Sequence, residues 1–101
     1  MFEFDAGSAV VDPAQDVELH RIARCLAVGP LRRDRLVVIG HADERGPAAE
    51  NLDLALDRAS KVREFLVAHG APEERVLATA ASTQAFPGRR VDFVLVVTPR
   101  E

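Results

Sequence analysis

The chain is poor in the features that most often announce a chemistry or a compartment. Cys25 is the single cysteine among 101 residues, which excludes an internal disulfide and a cysteine-based structural zinc site. It falls within a helical pattern and reads as a small buried hydrophobe. No apolar run approaches the roughly 20 residues that cross a bilayer, and the opening "MFEFDAGS" has no basic region followed by a hydrophobic one. The chain as given is therefore expected to be neither exported nor anchored by itself, with any signal or anchor in a part of a longer parent. Positive charge is not in excess either: 13 Lys and Arg against 16 Asp and Glu give a formal net charge of -3, no electrostatic footprint for nucleic acid. Lys61 is the single lysine, so only arginine is left to form a local basic patch. The glycines form no phosphate-binding series, and Ser8, Ser60 and Ser82 stand in no nucleophile-elbow context. His41 lies two residues from Asp43 but has no further His or Cys at ligand spacing, and His20 and His69 fall in or at the end of helices as surface or capping residues. An enzyme, a metal centre and a cofactor are therefore not expected.

What is present is an ordinary soluble composition, 48% hydrophobic and 29% charged, in a length that fits a single domain over 1–101 with one modest core. Residues 2–4, "FEF", alternate as a short strand, and "DAGS" is a turn. "VDPAQDVELHRIARCLAVGP" carries Asp12 as N-cap, Pro13 at the first helical position and Gly29-Pro30 after the end, with Leu19, Ile22, Ala23 and Leu26 at helical spacing. "RLVVIG" is an apolar strand, buried on both sides or central in a sheet. From Pro47 to His69 runs a long helix closed by Gly70, whose expected core stripe is Leu52, Ala55, Ala59, Val62 and Leu66. "RVLATAA" and "RRVDFVLVV" are the last two strands, joined by "STQAFPG", a link short enough for an antiparallel pair between them. "EERV" and "RRDR" read as solvated charge clusters. The class is α+β: a β-α-β-α-β-β two-layer sandwich, with a mixed four-stranded sheet and two helices on one face.

The loop "GHADERG", residues 40–46, leaves the C-terminal end of the first apolar strand and feeds the long helix. On that helix Asn51, Leu54 and Arg58 form a second stripe, roughly 90° from the centre of the core stripe. Asp43, Asn51 and Arg58 are thereby expected to face one groove beyond the carboxyl ends of the strands, where α/β sheets bind ligands. A guanidinium takes a carboxylate bidentately and a carboxylate accepts from an ammonium, so the pair suits a zwitterion such as an amino-acid end group. The alternative is structural: Asp43 and Arg58 pair with each other, or Asp43 caps its own loop.

Gly40, His41, Ala42, Asp43, Gly46, Asn51, Leu54, Ala55, Arg58, Ala59 and Val62 occur at a spacing that resembles the OmpA-like peptidoglycan-binding family, with its GHTD loop, a glycine, and NxxLSxxRAxxV on a helix. "FEFDAGSAVVDP" looks like that family's first strand and loop, and "GRRVDFVLV" is similar to its closing NRRVE strand. The resemblance implies an OmpA-like sheet-and-helix fold and no enzymatic activity. It further implies non-covalent binding of peptidoglycan through the diaminopimelate of the stem peptide, with Asp43 on the ammonium and Arg58 on the carboxylate. Carried over in the same way, Asn51 would support the ligand or the loop by hydrogen bonding, Leu54 would line the site, and Arg89 would add a second donor from the strand edge. The chain would be excised from a larger envelope protein, periplasmic, touching a membrane only through the rest of its parent, with a homodimer as a further arrangement. Ala42 stands for the family's threonine, Ala55 for its serine and Gly88 for its asparagine, and the connection from Ser82 to Gly88 is shorter. Those departures favour the alternative function, a degenerate domain acting as a protein interaction or dimerisation module in an envelope or secretion assembly.

Overall fold

Asp12 accepts a hydrogen bond from the Ala14 N–H at 2.9 Å and Pro13 opens a 3-10 turn, Pro13–Gln15, that runs into helix α1, Asp16–Ala27. In the computed structural model, which describes residues 2–5, 7–43, 46–81 and 88–99, the remaining elements are strand β1 at Phe2–Glu3, β2 at Arg35–Gly40, helix α2 at Ala48–Ala68, β3 at Val76–Ala80 and β4 at Arg90–Val96. Helix α2 ends where the sequence places its stop: Gly70 takes a φ of 107°, and the Gly70 and Ala71 N–H groups return to the carbonyls of Val67 and Leu66.

The sheet is mixed. Its body is β4-β2-β3, with β2 parallel to β3 and antiparallel to β4, and the two-residue β1 adds to the outer edge of β4 through Phe2 opposite Val91 and Glu3 opposite Arg90. The expected antiparallel pair of β3 with β4 does not form. The two strands lie on opposite sides of β2, and the 82–87 part of the link between them lies outside the described residues. β2 is central but not buried on both sides. Leu36 and Val38 point into the core, while Val37 and Ile39 are half-buried on the opposite face, the alternation of a sheet covered by helices on one side only.

The core joins Leu19, Ala23 and Leu26 of α1 with Ala59, Val62 and Leu66 of α2, above Leu36, Val38, Val76 and Val91 of the sheet. The phase of α2 differs from the expected one. Leu52 is 48% exposed, whereas Asn51, Ala55, Arg58, Ala59, Val62 and Leu66 form the buried face. A guanidinium has entered where a leucine was expected, because the chain supplies it with carbonyl acceptors from distant segments. The presumed solvated clusters are partly structural for the same reason. Arg75 of "EERV" donates to the carbonyls of Leu26, Leu31 and Asp34. Asp34 of "RRDR" is 3% exposed and accepts from the Thr98 N–H. Cys25 is half-buried, and no helix among the described residues is long and apolar enough to cross a membrane.

Helix α2 crosses β2 most closely at Gly40, where a Cβ would fall 1.7 Å from the Ala55 carbonyl oxygen and 3.2 Å from the Ala59 Cβ. Both obstacles belong to the helix that carries the core, so there is no flexible side chain to swing aside. Gly40→Ala is expected to lower the unfolding free energy by about 3 kcal/mol, measured as a shifted urea midpoint. A loss below about 0.5 kcal/mol, the scale of a surface substitution, would mean that α2 does not sit on β2 in this way.

Candidate functional site

The tight crossing at Gly40 fixes where the chain emerges from the sheet. The His41 N–H donates to the Arg90 carbonyl at 2.9 Å and the Ala81 N–H donates to the Gly40 carbonyl at 2.9 Å, so the first residue of the loop is still held by both neighbouring strands. Ala42 is then buried at 4% exposure. Its methyl occupies the position of the threonine in the resembling motif. Asp43 follows with its side chain 11% exposed. Its Oδ2 accepts from the Gly88 N–H at 2.9 Å and its Oδ1 from Arg89 Nε at 3.2 Å. The carboxylate thus fastens the loop after β2 to the entrance of β4.

Arg58 reaches the same region from the helix. Its side chain is fully buried at 0% exposure, with Nε donating to the Ser8 carbonyl at 2.9 Å, Nη1 to the His41 carbonyl at 3.0 Å and Nη2 to the Asp5 carbonyl at 3.2 Å. Its guanidinium carbon lies 5.5 Å from the centre of the Phe4 ring, within cation–π range. Arg58 therefore does not stand half-sheltered at the helix edge. It gathers the segment after β1 and the loop after β2 onto α2, touching the main chain two residues before Asp43.

Of the other expected residues, Arg89 joins the site and is half exposed, at 50%. Asn51 is 5% exposed beneath the start of α2. Its Nδ2 donates to the Pro47 carbonyl at 3.3 Å, and its Oδ1 has no hydrogen-bond partner among the described residues. Leu54 is not brought to Asp43; it lines a shallow recess on the outer side of α2 with Asp53, Asp57 and Ser60. Glu44, Arg45 and the shortened connection 82–87 lie outside the described residues.

Two participants carried no signal in the sequence. The Gly88 N–H is a main-chain donor, and any residue except proline would supply it. The second is the face around His41. Its Nε2 lies 3.0 Å from Asp92 Oδ2, but the approach falls outside hydrogen-bond geometry, and neither ring nitrogen has a hydrogen-bond partner among the described residues. Arg90 Nε contacts both Asp92 oxygens at 3.2 Å. This grouping follows from β4 lying against β2, a neighbour relation that was not legible. Among the described residues no group of three or more His, Cys, Asp or Glu is arranged to hold a metal ion.

Comparison with known proteins bears on the same residues. The sequence profile of the OmpA family matches residues 3–89. The peptidoglycan-associated lipoprotein of Rhizobium meliloti (strain 1021) is 37% identical over 73 residues, 72% of this chain and 40% of that protein. That of Brucella melitensis biotype 1 is 34% identical over the same length, covering 72% and 42%. The chain thus spans about 40% of the length of these curated relatives. Among solved structures, the peptidoglycan-associated lipoprotein from Burkholderia pseudomallei superposes with a TM-score of 0.81 at 27% identity, covering 93% of this chain and 87% of that one. The C-terminal domain of Helicobacter pylori MotB superposes at 0.78 and 20% identity, covering 96% and 84%, a likeness of fold.

The two arginines should separate in a stability measurement. Arg58→Lys keeps the charge but loses the planar fork that serves three carbonyls, and is expected to cost about 2–4 kcal/mol in urea unfolding. Arg89→Ala, at a half-exposed ion pair, should cost less than about 1 kcal/mol. Equal losses for the two variants would contradict the difference in burial.

Proposed function

The chain belongs to the OmpA family, and from that premise we propose that it binds peptidoglycan non-covalently and tethers a larger bacterial envelope protein to the cell wall. It is a binding module and not an enzyme, of the type found in peptidoglycan-associated lipoproteins and MotB. We place it in the cell envelope on the periplasmic side, with the anchor supplied by the rest of its parent.

The recognised group in this proposal is the free amino-acid end of diaminopimelate in the stem peptide. The observation that carries it is the Asp43 carboxylate, held at the carboxyl end of the central strand by Gly88 and Arg89. In this reading the ammonium group is taken by the Asp43 carboxylate as a charge-assisted hydrogen bond. The ligand carboxylate then meets arginine. Arg89 approaches it from solvent, being half exposed with its Nε on Asp43. Arg58 contributes from below, holding the His41 carbonyl and hence the loop, and it meets the ligand directly only when the Asp5–Ser8 segment yields. Asn51 Oδ1 offers a buried acceptor beneath the same loop. Affinity should be modest, since the ligand is small.

A second reading, a protein interaction module within an envelope assembly, is favoured by the departures from the family motif at Ala42 and Gly88.

Co-sedimentation with purified diaminopimelate-containing sacculi tests the first reading. Wild type should pellet with the sacculi and be released by free diaminopimelate. Asp43→Asn and Arg89→Ala should each bind at least about tenfold more weakly, the equivalent of one charge-assisted hydrogen bond, with unchanged circular dichroism. If both variants pellet like wild type, or wild type stays in solution, the diaminopimelate assignment is lost.

A further inference from the structure

Between the last turns of the two helices lies a recess of about 420 Å³, lined by His20, Arg21, Arg24, Ala27 and Val28 of α1 and its cap, and by His69 at the end of α2. Among the described residues no carboxylate lines it. On α1, Arg24 follows Arg21 by three residues and His20 by four, spacings at which side chains are surface neighbours and like charges are unfavourable. His69 adds a second imidazole, with its ring centre 4.1 Å from that of His20 and its face stacked on Phe65. Basic side chains at a helix C-terminus ordinarily serve the last carbonyls, but here other donors hold them. The Arg24 carbonyl accepts from the N–H groups of Val28 and Gly29, that of Cys25 from Leu31, and that of Leu26 from Arg75. On α2 the Leu66 and Val67 carbonyls accept from the Ala71 and Gly70 N–H groups, and His69 Nδ1 donates to the Phe65 carbonyl at 2.8 Å. Arg21 and Arg24 are exposed and form no hydrogen bond or ion pair among the described residues, Glu18 one turn before Arg21 included. Their donors are spare.

We propose that this recess binds a phosphate-bearing ligand, a phosphomonoester or diphosphate group. The inference is independent of the peptidoglycan reading, because His69 lies roughly 16 Å along α2 from Arg58, away from the loop that carries Asp43. Charge and donor geometry select the ligand class. A guanidinium fork takes two oxygens of one phosphate at once, and two forks one turn apart on α1 serve one group or two linked ones. The imidazoles extend the set. With Nδ1–H committed to the Phe65 carbonyl, His69 has Nε2 left, which becomes a donor on protonation, and a nearby dianion favours that charged form. A monocarboxylate occupies a single fork and leaves most of this charge unanswered, whereas a phosphate brings up to two charges and three acceptor oxygens. The same chemistry is offered by a soluble phosphate ester and by a lipid with a phosphomonoester headgroup.

Proton–nitrogen NMR of the full chain, titrated with sodium pyrophosphate at neutral pH and constant ionic strength, should move the Nε signal of Arg24 and the ring signals of His20 and His69, with a Kd of about 0.1–5 mM. Sodium acetate should not. Arg24→Glu, a change at an exposed side chain, should weaken binding at least about tenfold with unchanged circular dichroism. Arg35→Glu makes the same change of charge on the opposite face of the sheet and should alter it less than about twofold. Flotation with phosphatidylcholine vesicles, with and without phosphatidic acid, separates the two sources. Capture that needs phosphatidic acid and is lost in Arg24→Glu assigns the group to a lipid, and a pyrophosphate response without capture assigns it to a soluble ester. No response to pyrophosphate, an equal response to acetate, or equal weakening by the two variants would each overturn the proposal.

Discussion

The guanidinium of Arg58 is the point from which three separate stretches of chain are held. Burying a charge costs several kcal/mol, and what offsets it here is a set of three charge-assisted bonds to the carbonyls of Asp5, Ser8 and His41, each worth about 1.5–3 kcal/mol, with the Phe4 ring against one side. None of the three carbonyls lies in the helix that carries the arginine. The segment after β1 and the loop after β2 would otherwise present unpaired main-chain oxygens to the interior, and one side chain satisfies both. The same device recurs at Arg75, which closes the end of α1 onto the turn before β2, and at Arg63, which secures the start of β3. A chain with twelve arginines and one lysine uses several of them as internal multi-donor brackets, a task for which an ammonium, lacking the planar fork, is poorly shaped.

That use of arginine also explains what could be read from the sequence. Both helices were legible, because Asp12-Pro13, Gly29-Pro30 and Gly70 are local signals with local consequences. The face that α2 buries was legible at Ala55, Ala59, Val62 and Leu66 but not at its margins. Hydrophobicity assigns Leu52 to the interior and Arg58 to the edge, and the structure reverses them, because acceptors fifty residues away in sequence decide where the arginine is stable. The neighbours of β2 were likewise hidden. A short connection reads as a hairpin, and only the pairing of β4 with β2 and of β3 with β2, on opposite sides, shows that β4 returns past the central strand.

The site was legible to the same extent. Asp43 and Arg58 were singled out by type and spacing and Arg89 through the family resemblance, and the structure brings the three to the carboxyl end of the central strand. Their division of labour depended on burial. Arg58 is enclosed and braces main chain, Arg89 is half exposed beside Asp43, and Leu54 faces a different recess. The grouping of His41 with Asp92 and Arg90 was out of reach, since it exists only by virtue of the strand order.

The bond from the Gly88 N–H to Asp43 has a corollary for substitution. Because the donor belongs to the peptide backbone, the side chain at position 88 is released from the duty of anchoring the aspartate, and asparagine or glycine can stand there with equal effect on the loop. A substitution at position 88 therefore leaves the anchor intact provided proline is avoided, whereas a change of the carboxylate at position 43 does not.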